Sequence, residues 1–411
     1  MWRRAVDTFK KRVTVGTSQS YCVLARRRFV EDEGDWSYSS EWWDHSNSRG
    51  QVVYCSTSGH GNGVVTVNSY PSSRPRMDVW PETERWLASR NVGNDRFRVS
   101  GYQWRTLRFN NETRQSTAKV MVACMESQPR SLHLMQCPHC LAIPYLKSMV
   151  SLGLATIASC NYDLMLAAYG KKTMRILCIG HGGGALPLFL ASKIPGAVLD
   201  IVEIDPLVID ASIHAMGFPS YSVVSPYQRA FIKPNFVSDI LWKGIHERLY
   251  LYESDAECFI LKTSDLYDLV FIDAYDGDDI FPRKLWDPDA PFLKALGDKL
   301  HPEHGTVVVN LHSDDDDASP MGSYVNTVSR AYKDMIVPSC MSESGQDSGA
   351  AFTVSAPWIC NTALAVCRGK LDAPKGSILY PIASKSFEVE RLLNLPFPCF
   401  DYIKNGFKVV D

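Results

Sequence analysis

The sequence lacks an imbalance of charge, a long apolar run and a second pair of closely spaced cysteines. Its 411 residues carry 43 Lys and Arg against 45 Asp and Glu, so nothing in the net charge of −2 favours nucleic acid or a membrane surface as a partner. No segment approaches the roughly 20 consecutive apolar residues of a membrane span, and the first residues form no apolar signal segment. The 12 cysteines are spread thinly and are expected to be reduced. We therefore expect a soluble, intracellular, cytoplasmic protein with no membrane or nucleic-acid partner.

Basic residues are concentrated near the start of the chain. Between Met1 and Phe29 there are eight Lys and Arg and one acid, Asp7, together with several Ser and Thr. This composition fits a solvated basic arm, and it also fits a transit peptide for a mitochondrion or plastid. Both interpretations of residues 1–30 stay open.

The length predicts two domains, since single domains commonly have about 100–150 residues. Residues 31–98 are rich in Gly, Ser, Asn and Trp, which predicts loops and short strands rather than helices. Alternating apolar residues on either side of Asn110 and Asn111 predict a β-hairpin. Helical spacing then covers residues 144–168, so we assign residues 31–143 to a β-rich N-terminal domain.

From Met174 onward, short apolar strands alternate with helices. This alternation predicts an α/β fold with a Rossmann-like parallel sheet covered on both faces, whose ligands bind at the carboxyl ends of the strands. We assign residues 144–370 to this domain and residues 371–411 to an extension that packs on its core.

A glycine turn and a series of acids fall at the predicted strand ends. Residues 180–184 read Gly-His-Gly-Gly-Gly after the first strand, and such a turn lets a ligand approach the backbone and the next helix. Glu203 ends the second strand, where its carboxylate can accept two hydrogen bonds from a ribose diol. Asp255 and Asp273 end the next two. The glycines match the dinucleotide pattern only in part, because Ala185 takes its third position, and the acids suit a cationic nucleoside better than a pyrophosphate.

Three segments carry a resemblance to a known family: 176–187, Val202-Glu-Ile-Asp-Pro, and Asp273-Ala-Tyr-Asp. They resemble the spermidine synthase-like branch of class I S-adenosylmethionine-dependent methyltransferases. The resemblance extends over residues 102–311, and it includes the predicted hairpin, which looks like the strand pair that caps the donor site in aminopropyltransferases. It implies a Rossmann-like class I methyltransferase sheet with an N-terminal β-rich domain, and S-adenosylmethionine as the cofactor and methyl donor.

The resemblance also implies roles for single residues. Glu203 would hold the donor ribose, Asp255 the adenine amino group, and Asp273 the amino-acid or aminopropyl end of the donor. Gln115 is similar to the family's ligand-contacting glutamine, and Tyr145 to the tyrosine that leads the helix before the glycine motif. The implied cofactor-binding residues are Gln115, Tyr145, Gly180, Gly182, Gly184, Glu203, Ile204, Asp255, Ala256 and Asp273.

One departure from the family bears on the reaction. Aminopropyltransferases have an aspartate directly after the glycines, where this chain has Ala185. That aspartate would attract the ammonium of decarboxylated S-adenosylmethionine and repel the α-carboxylate of the intact donor. We therefore expect methyl transfer to an unidentified nucleophile. Aminopropyl transfer, as in polyamine biosynthesis, is the second hypothesis, and a non-catalytic nucleoside-binding assembly module is the third.

Asp276 is the candidate catalytic residue, because it is similar to the second aspartate of the family's Asp-x-x-Asp motif, which binds or deprotonates the attacking amine. Two carboxylates close together, Asp273 and Asp276, would raise the pKa of one of them. The alternative is a solvated acidic turn, since Asp278 and Asp279 follow directly.

Partners and metals are less determined by the sequence. The acceptor is a small molecule or a protein, and a homodimer is one candidate assembly. Cys137 and Cys140 have the spacing of zinc ligands, but the chain has no second such pair, so no metal is expected.

Overall fold

The computed structural model describes residues 36–43, 50–91, 95–110, 113–219, 223–224, 240–312, 320–337, 349–371 and 378–410. The basic arm, residues 1–30, lies outside these ranges. No helix among the described residues is long and apolar enough to cross a membrane.

Five strands near the N-terminus form an antiparallel sheet in chain order: β1 (Gln51–Thr57), β2 (Val64–Pro71), β3 (Phe97–Phe109), β4 (Thr113–Met125) and β5 (Gln128–Gln136). β3 and β4 pair from Phe97 opposite Met125 to Phe109 opposite Thr113, which confirms the predicted hairpin. Asn110 follows β3 with a φ of 52°, a left-handed conformation that Asn tolerates better than most side chains.

A helix, α1 (Trp80–Arg90), lies between β2 and β3, so the prediction of no helix in residues 31–98 is wrong. Pro81 stands in the first turn, where its missing N–H is not needed, and Glu82 and Arg90 complement the helix dipole at its two ends. Leu87 is the residue that the helix buries. The loop-like composition around the helix concealed these local signals.

The larger sheet has nine strands in the order β14-β12-β13-β11-β10-β6-β7-β9-β8. Strands β6 to β11 run parallel to one another, whereas β13 is antiparallel to both β11 and β12, and β14 is antiparallel to β12. Their bounds are β6 (Met174–Ile179), β7 (Ala197–Glu203), β8 (Val223–Val224), β9 (Leu249–Glu253), β10 (Leu269–Ile272), β11 (Thr306–His312), β12 (Ala350–Ser355), β13 (Asn361–Cys367) and β14 (Lys408–Val409). This mixed α/β sheet beside an N-terminal antiparallel sheet confirms the expected fold class.

The strand order reverses at β6, because the chain continues to β7 on one side and returns to β10 on the other. In open α/β sheets, the crevice outside the carboxyl ends at such a reversal is where ligands bind. The remaining helices are α2 (Pro144–Ser159), α3 (Leu164–Ala168), α4 (Ala185–Lys193), α5 (Pro206–His214), α6 (Ala256–Lys262), α7 (Pro291–Asp298), α8 (Pro320–Ile336) and α9 (Leu379–Leu393).

α2 is buried over nearly its whole surface, and its buried residues include polar ones such as Lys147 and Thr156 as well as apolar ones. The predicted helical segment 144–168 divides into α2 and α3 because Asn161 adopts a φ of 60° between them. α9 packs against α2, and β14 adds an edge strand, so residues after 371 do contact the core. The domain boundaries themselves stay predictions.

The N-terminal sheet packs against α5 and the glycine turn of the larger sheet, through an apolar cluster that includes Leu107 and Val208 and through polar contacts. The Arg105 guanidinium donates to the Ala215 carbonyl at 3.1 Å, and the Gln136 side-chain amide donates to the Gly183 carbonyl at 3.0 Å. One wall of the crevice therefore comes from each sheet.

Candidate ligand-binding site

The glycine turn after β6 brings the backbone close to the end of β10. Gly180, Gly182 and Gly184 have φ values of 85°, 50° and 76°. A Cβ atom on Gly180 would lie 2.0 Å from the Asp273 carbonyl oxygen. Only glycine fits there, so the turn and the Asp273 main chain form one compact floor of the crevice.

Glu203 ends β7 next to this turn, and backbone amides hold its carboxylate. Oε2 accepts from the His181 N–H and Oε1 from the Asp205 N–H, both at 3.0 Å. Burial raises the pKa of Glu203, although these amides stabilise the charged form. The His181 ring instead points to Ser212, with Nε2 2.8 Å from Oγ, and burial lowers its pKa to about 3. His181 therefore serves the site with its backbone.

Asp255 begins α6, and both of its oxygens have partners. Oδ1 accepts from the amides of Glu257 and Cys258 at 2.9 and 3.1 Å, and Oδ2 pairs with the Lys284 ammonium. Burial pushes the pKa of Asp255 upward, but Lys284 and the helix amides outweigh it, and the pKa is lowered. Lys284 comes from the loop after β10, and no sequence motif marks it.

Asp273 follows β10 and accepts hydrogen bonds from two neutral side chains. The Tyr145 hydroxyl donates to Oδ2 at 2.9 Å, and the Asn310 amide donates to Oδ1 at 2.8 Å. Burial raises the pKa of Asp273 despite these bonds, and the neighbouring acid that adds to the rise is Asp279. Asn310 was not predicted from the sequence, although a polar residue in the apolar run Val307-Val-Val-Asn-Leu was a usable signal.

Asp276 lines the same crevice and holds the turn that follows β10. Its Oδ1 accepts from the amides of Asp278 and Ile280 at 3.0 and 2.9 Å. Within the described part of the chain, Oδ2 makes no hydrogen bond. One oxygen is thus structural, and the other is available to a ligand.

The opposite wall comes from the N-terminal sheet. Gln115 and Ser116 of β4 line the crevice with Phe109, His60 and Asn62. The Gln115 Nε2 amide is buried and has no hydrogen-bond partner among the described residues. A buried donor without a partner costs about 1–3 kcal/mol, so a ligand acceptor there would be stabilising.

The structure brings the predicted residues together around one crevice, with Ala185 buried in its wall where the family's aspartate would stand. The predicted residues that line it are Gln115, Tyr145, Gly180, Gly182, Glu203, Ile204, Asp255, Ala256, Asp273 and Asp276. Gly184 is the N-cap of α4 behind them.

Two groups of possible metal ligands among the described residues lie outside the lining of this crevice. Cys137 and Cys140 are buried and form no disulfide. Among the described residues, the group close enough to share an ion is His301, Glu303 and His304, which lies before β11 at the opposite edge of the sheet. Its two imidazole rings stack with their centroids 3.8 Å apart, and His304 Nε2 lies 2.6 Å from Asp268 Oδ1, so that ring nitrogen already has a partner in the fold.

No family model matches the chain. Two curated proteins are similar over 72 residues: the eEF1A lysine and N-terminal methyltransferases of Mus musculus, 38% identical, and of Homo sapiens, 36% identical. The similar segment covers 18% of this chain and 9% of each relative, so the chain matches only a small part of their length.

Among solved structures, human methyltransferase-like protein 13 in complex with SAH has a TM-score of 0.43 and 17% identity, over 61% of this chain and 93% of that chain. A probable spermidine synthase from Corynebacterium glutamicum has a TM-score of 0.42 and 14% identity, over 72% and 92%. A spermidine synthase in complex with the transition-state analogue AdoDATO has a TM-score of 0.39 and 13% identity, over 84% and 88%. In its fold, with the glycine turn at the strand reversal, this chain is similar to class I S-adenosylmethionine-dependent methyltransferases and to spermidine synthases, as the sequence resemblance predicted.

Proposed function

We propose that the chain is a transferase that binds S-adenosylmethionine and transfers its methyl group. The observation that carries the proposal is the set of three acids around one glycine turn, with Ala185 and not an acid beside it. Glu203, Asp255 and Asp273 each lie where one part of an adenosyl amino acid would bind. Ala185 leaves space and no negative charge for an α-carboxylate.

The side chains present fit this ligand. Gly180 lets the glycine turn lie against the Asp273 main chain at the floor of the crevice, and Gln115 Nε2 is a buried donor that needs an acceptor. Asp273 is a buried carboxylate whose hydrogen-bond partners are neutral, so a ligand ammonium would stabilise its charged form.

When bound, S-adenosylmethionine supplies an electrophilic methyl group on a sulfonium centre. The chain contributes positioning: Glu203 accepts from a diol, Asp273 holds an ammonium, and the N-terminal sheet excludes water from the opposite side. Asp276 Oδ2 is placed to take a proton from a nucleophile that arrives protonated, while Oδ1 keeps the turn in place.

The acceptor in this proposal is an amine. The curated relatives are named for a lysine and an N-terminus, both of which are amine nucleophiles. The crevice supports the same chemistry, because Asp276 lines it with one carboxylate oxygen that makes no hydrogen bond among the described residues, and this carboxylate would attract a protonated amine. Aminopropyl transfer is the second candidate, and the spacing of Asp273 and Asp276 favours it.

Calorimetric titration of the full chain with S-adenosylmethionine, its decarboxylated form and S-adenosylhomocysteine tests these functions. We expect the intact donor and S-adenosylhomocysteine to bind more tightly than the decarboxylated donor. The reverse order would favour aminopropyl transfer, and binding of none of the three would contradict both enzymatic proposals. Transfer of a tritiated methyl group to poly-lysine or to short amine peptides then tests the acceptor, with Asp276→Asn as the comparison.

A further inference from the structure

The loop 58–63 between β1 and β2 contacts the turn after β7. Asn62 is buried, and its side-chain amide donates to Asp205 Oδ2 at 2.8 Å. The Ser58 hydroxyl donates to the same oxygen. Asp205 in turn donates its N–H to Glu203 Oε1, so the loop is linked to the acid at the end of β7 through one residue.

The N-terminal sheet and loop 58–63 also contact the turn 274–282 after β10. Asn110 accepts from the Val64 N–H at 3.0 Å through Oδ1 and donates to the Gly277 carbonyl at 3.3 Å through Nδ2. Gly277 is packed against the loop, since a Cβ there would lie 2.7 Å from the Gly61 carbonyl oxygen and 2.9 Å from the Asn62 carbonyl carbon. The loop therefore touches both strand-end turns that carry candidate site residues.

We propose that loop 58–63 is a positioning element of the site, with Asn62 and Asn110 as its positioning residues. It joins the turn of Glu203 to the turn of Asp276, and it covers the crevice with His60 and Asn62 in its wall. This inference deepens the proposed function and rests on it for the identity of the ligand.

The physical reason is that the turn 274–282 is anchored on two sides. On one side β11 holds it, because the Tyr275 hydroxyl donates to the Asn310 carbonyl at 2.9 Å and Asp279 pairs with the His312 ring at 3.0 Å. Asp276 Oδ1 sets the shape of the turn from within. On the side of the N-terminal sheet, Gly277 is held by its contacts with Asn110 and with the loop.

Two variants break this contact from opposite sides. Asn110→Asp keeps the acceptor for Val64 and a residue type that tolerates a positive φ, but it removes the donor to Gly277 and places a carboxylate against that carbonyl. Gly277→Ala removes nothing and inserts a methyl group against Gly61 and Asn62. Both should displace the turn without touching a residue that binds the ligand.

The chain offers a matched control for each variant. Asn161→Asp makes the same substitution at a φ of 60°, remote from the crevice, and Gly101→Ala adds a methyl group in β3, outside the loop, with nothing within 4 Å. Both controls should bind S-adenosylhomocysteine as the wild type does.

The test measures the Kd of S-adenosylhomocysteine by calorimetry and hydrogen–deuterium exchange of segments 58–63 and 274–282. We expect Asn110→Asp and Gly277→Ala to weaken binding about tenfold, the order set by one lost hydrogen bond. Exchange should rise in both segments together. A lower melting temperature with unchanged Kd and no linked exchange would indicate a purely structural contact and would overturn the proposal.

The test still gives an answer if the wild type does not bind the ligand or if one variant does not fold. If the wild type does not bind S-adenosylhomocysteine, the proposed function fails, and the exchange measurement alone decides whether the loop positions the turn. If Gly277→Ala does not fold, Asn110→Asp decides, because its backbone and its bond to Val64 are retained. Unlinked exchange in either case rejects the positioning role.

Discussion

Gly180→Ala tests whether the glycine turn and Asp273 act as one unit. Alanine at a φ of 85° costs about 1–2 kcal/mol in backbone strain. Its Cβ would also lie 2.0 Å from the Asp273 carbonyl oxygen, whereas favourable contacts begin near 3.5 Å, so the two segments must separate by about 1 Å or more. The Asp273 N–H bonds the Ile179 carbonyl at 2.9 Å, so this movement strains the β6–β10 junction itself. A misplacement of about 1 Å can cost about 100-fold in catalysis.

Gly244→Ala is the matched control, since Gly244 has a φ of 84° and no atom lies within 4 Å of the position that its added methyl group would take. It should lose about 1–2 kcal/mol of unfolding free energy from strain alone and bind S-adenosylhomocysteine normally. Gly180→Ala should lose more stability in urea titration and bind the same ligand at least tenfold more weakly by calorimetry. Equal binding by the two variants would refute the coupling of the glycine turn to Asp273.

Three further predictions concern the acids of the crevice. Because burial raises the pKa of Asp273, affinity for S-adenosylhomocysteine should fall as pH decreases through that raised pKa, above the usual 3.8, and this loss should be smaller in Asp273→Asn. Ala185→Asp should weaken binding of intact S-adenosylmethionine at least tenfold relative to its decarboxylated form, since like charges about 4 Å apart repel by about 4 kcal/mol near a protein surface and a tenfold change needs only about 1.4 kcal/mol; an unchanged ratio in calorimetry would contradict this. Asp276→Asn keeps the Oδ1 acceptor and should leave donor affinity unchanged while slowing methyl transfer about 100-fold, and normal turnover would exclude Asp276 as the base.

The glycine turn and its acids were predictable because each follows an apolar strand directly. The positions of Glu203 and Asp273 follow from the rule that parallel strands end on one edge of the sheet, because the sequence shows where those strands end. The hairpin around Asn110 was predictable for a similar reason, since alternation and a turn residue are local signals.

The partners of these acids depend on contacts between segments that are distant in the sequence. Lys284 reaches Asp255 across 29 residues, and Asn62 reaches Asp205 across 143, and neither pairing leaves a local pattern. Asn161 ends α2 by adopting a positive φ, which Asn permits but does not require, so the helical spacing continued past it. The acids could therefore be located from the sequence, whereas the pairings of Asp255 with Lys284 and of Asp205 with Asn62 could not.

The hydrogen-bond and ion-pair partners of Asp255, Asp273 and Glu203 distinguish these three acids from one another. Asp255 has its own cation in Lys284, and its pKa is lowered, so it gains little from a second positive charge and suits a neutral partner such as an adenine amino group. Asp273 has only neutral hydrogen-bond partners, and its pKa is raised by burial, so a ligand cation stabilises its charged form most. Glu203 has backbone amides on both oxygens and retains lone pairs for hydroxyl donors. In the proposed function, the ligand that fits all three acids has a neutral base, a diol and one ammonium, and the ammonium would bind at the end of β10.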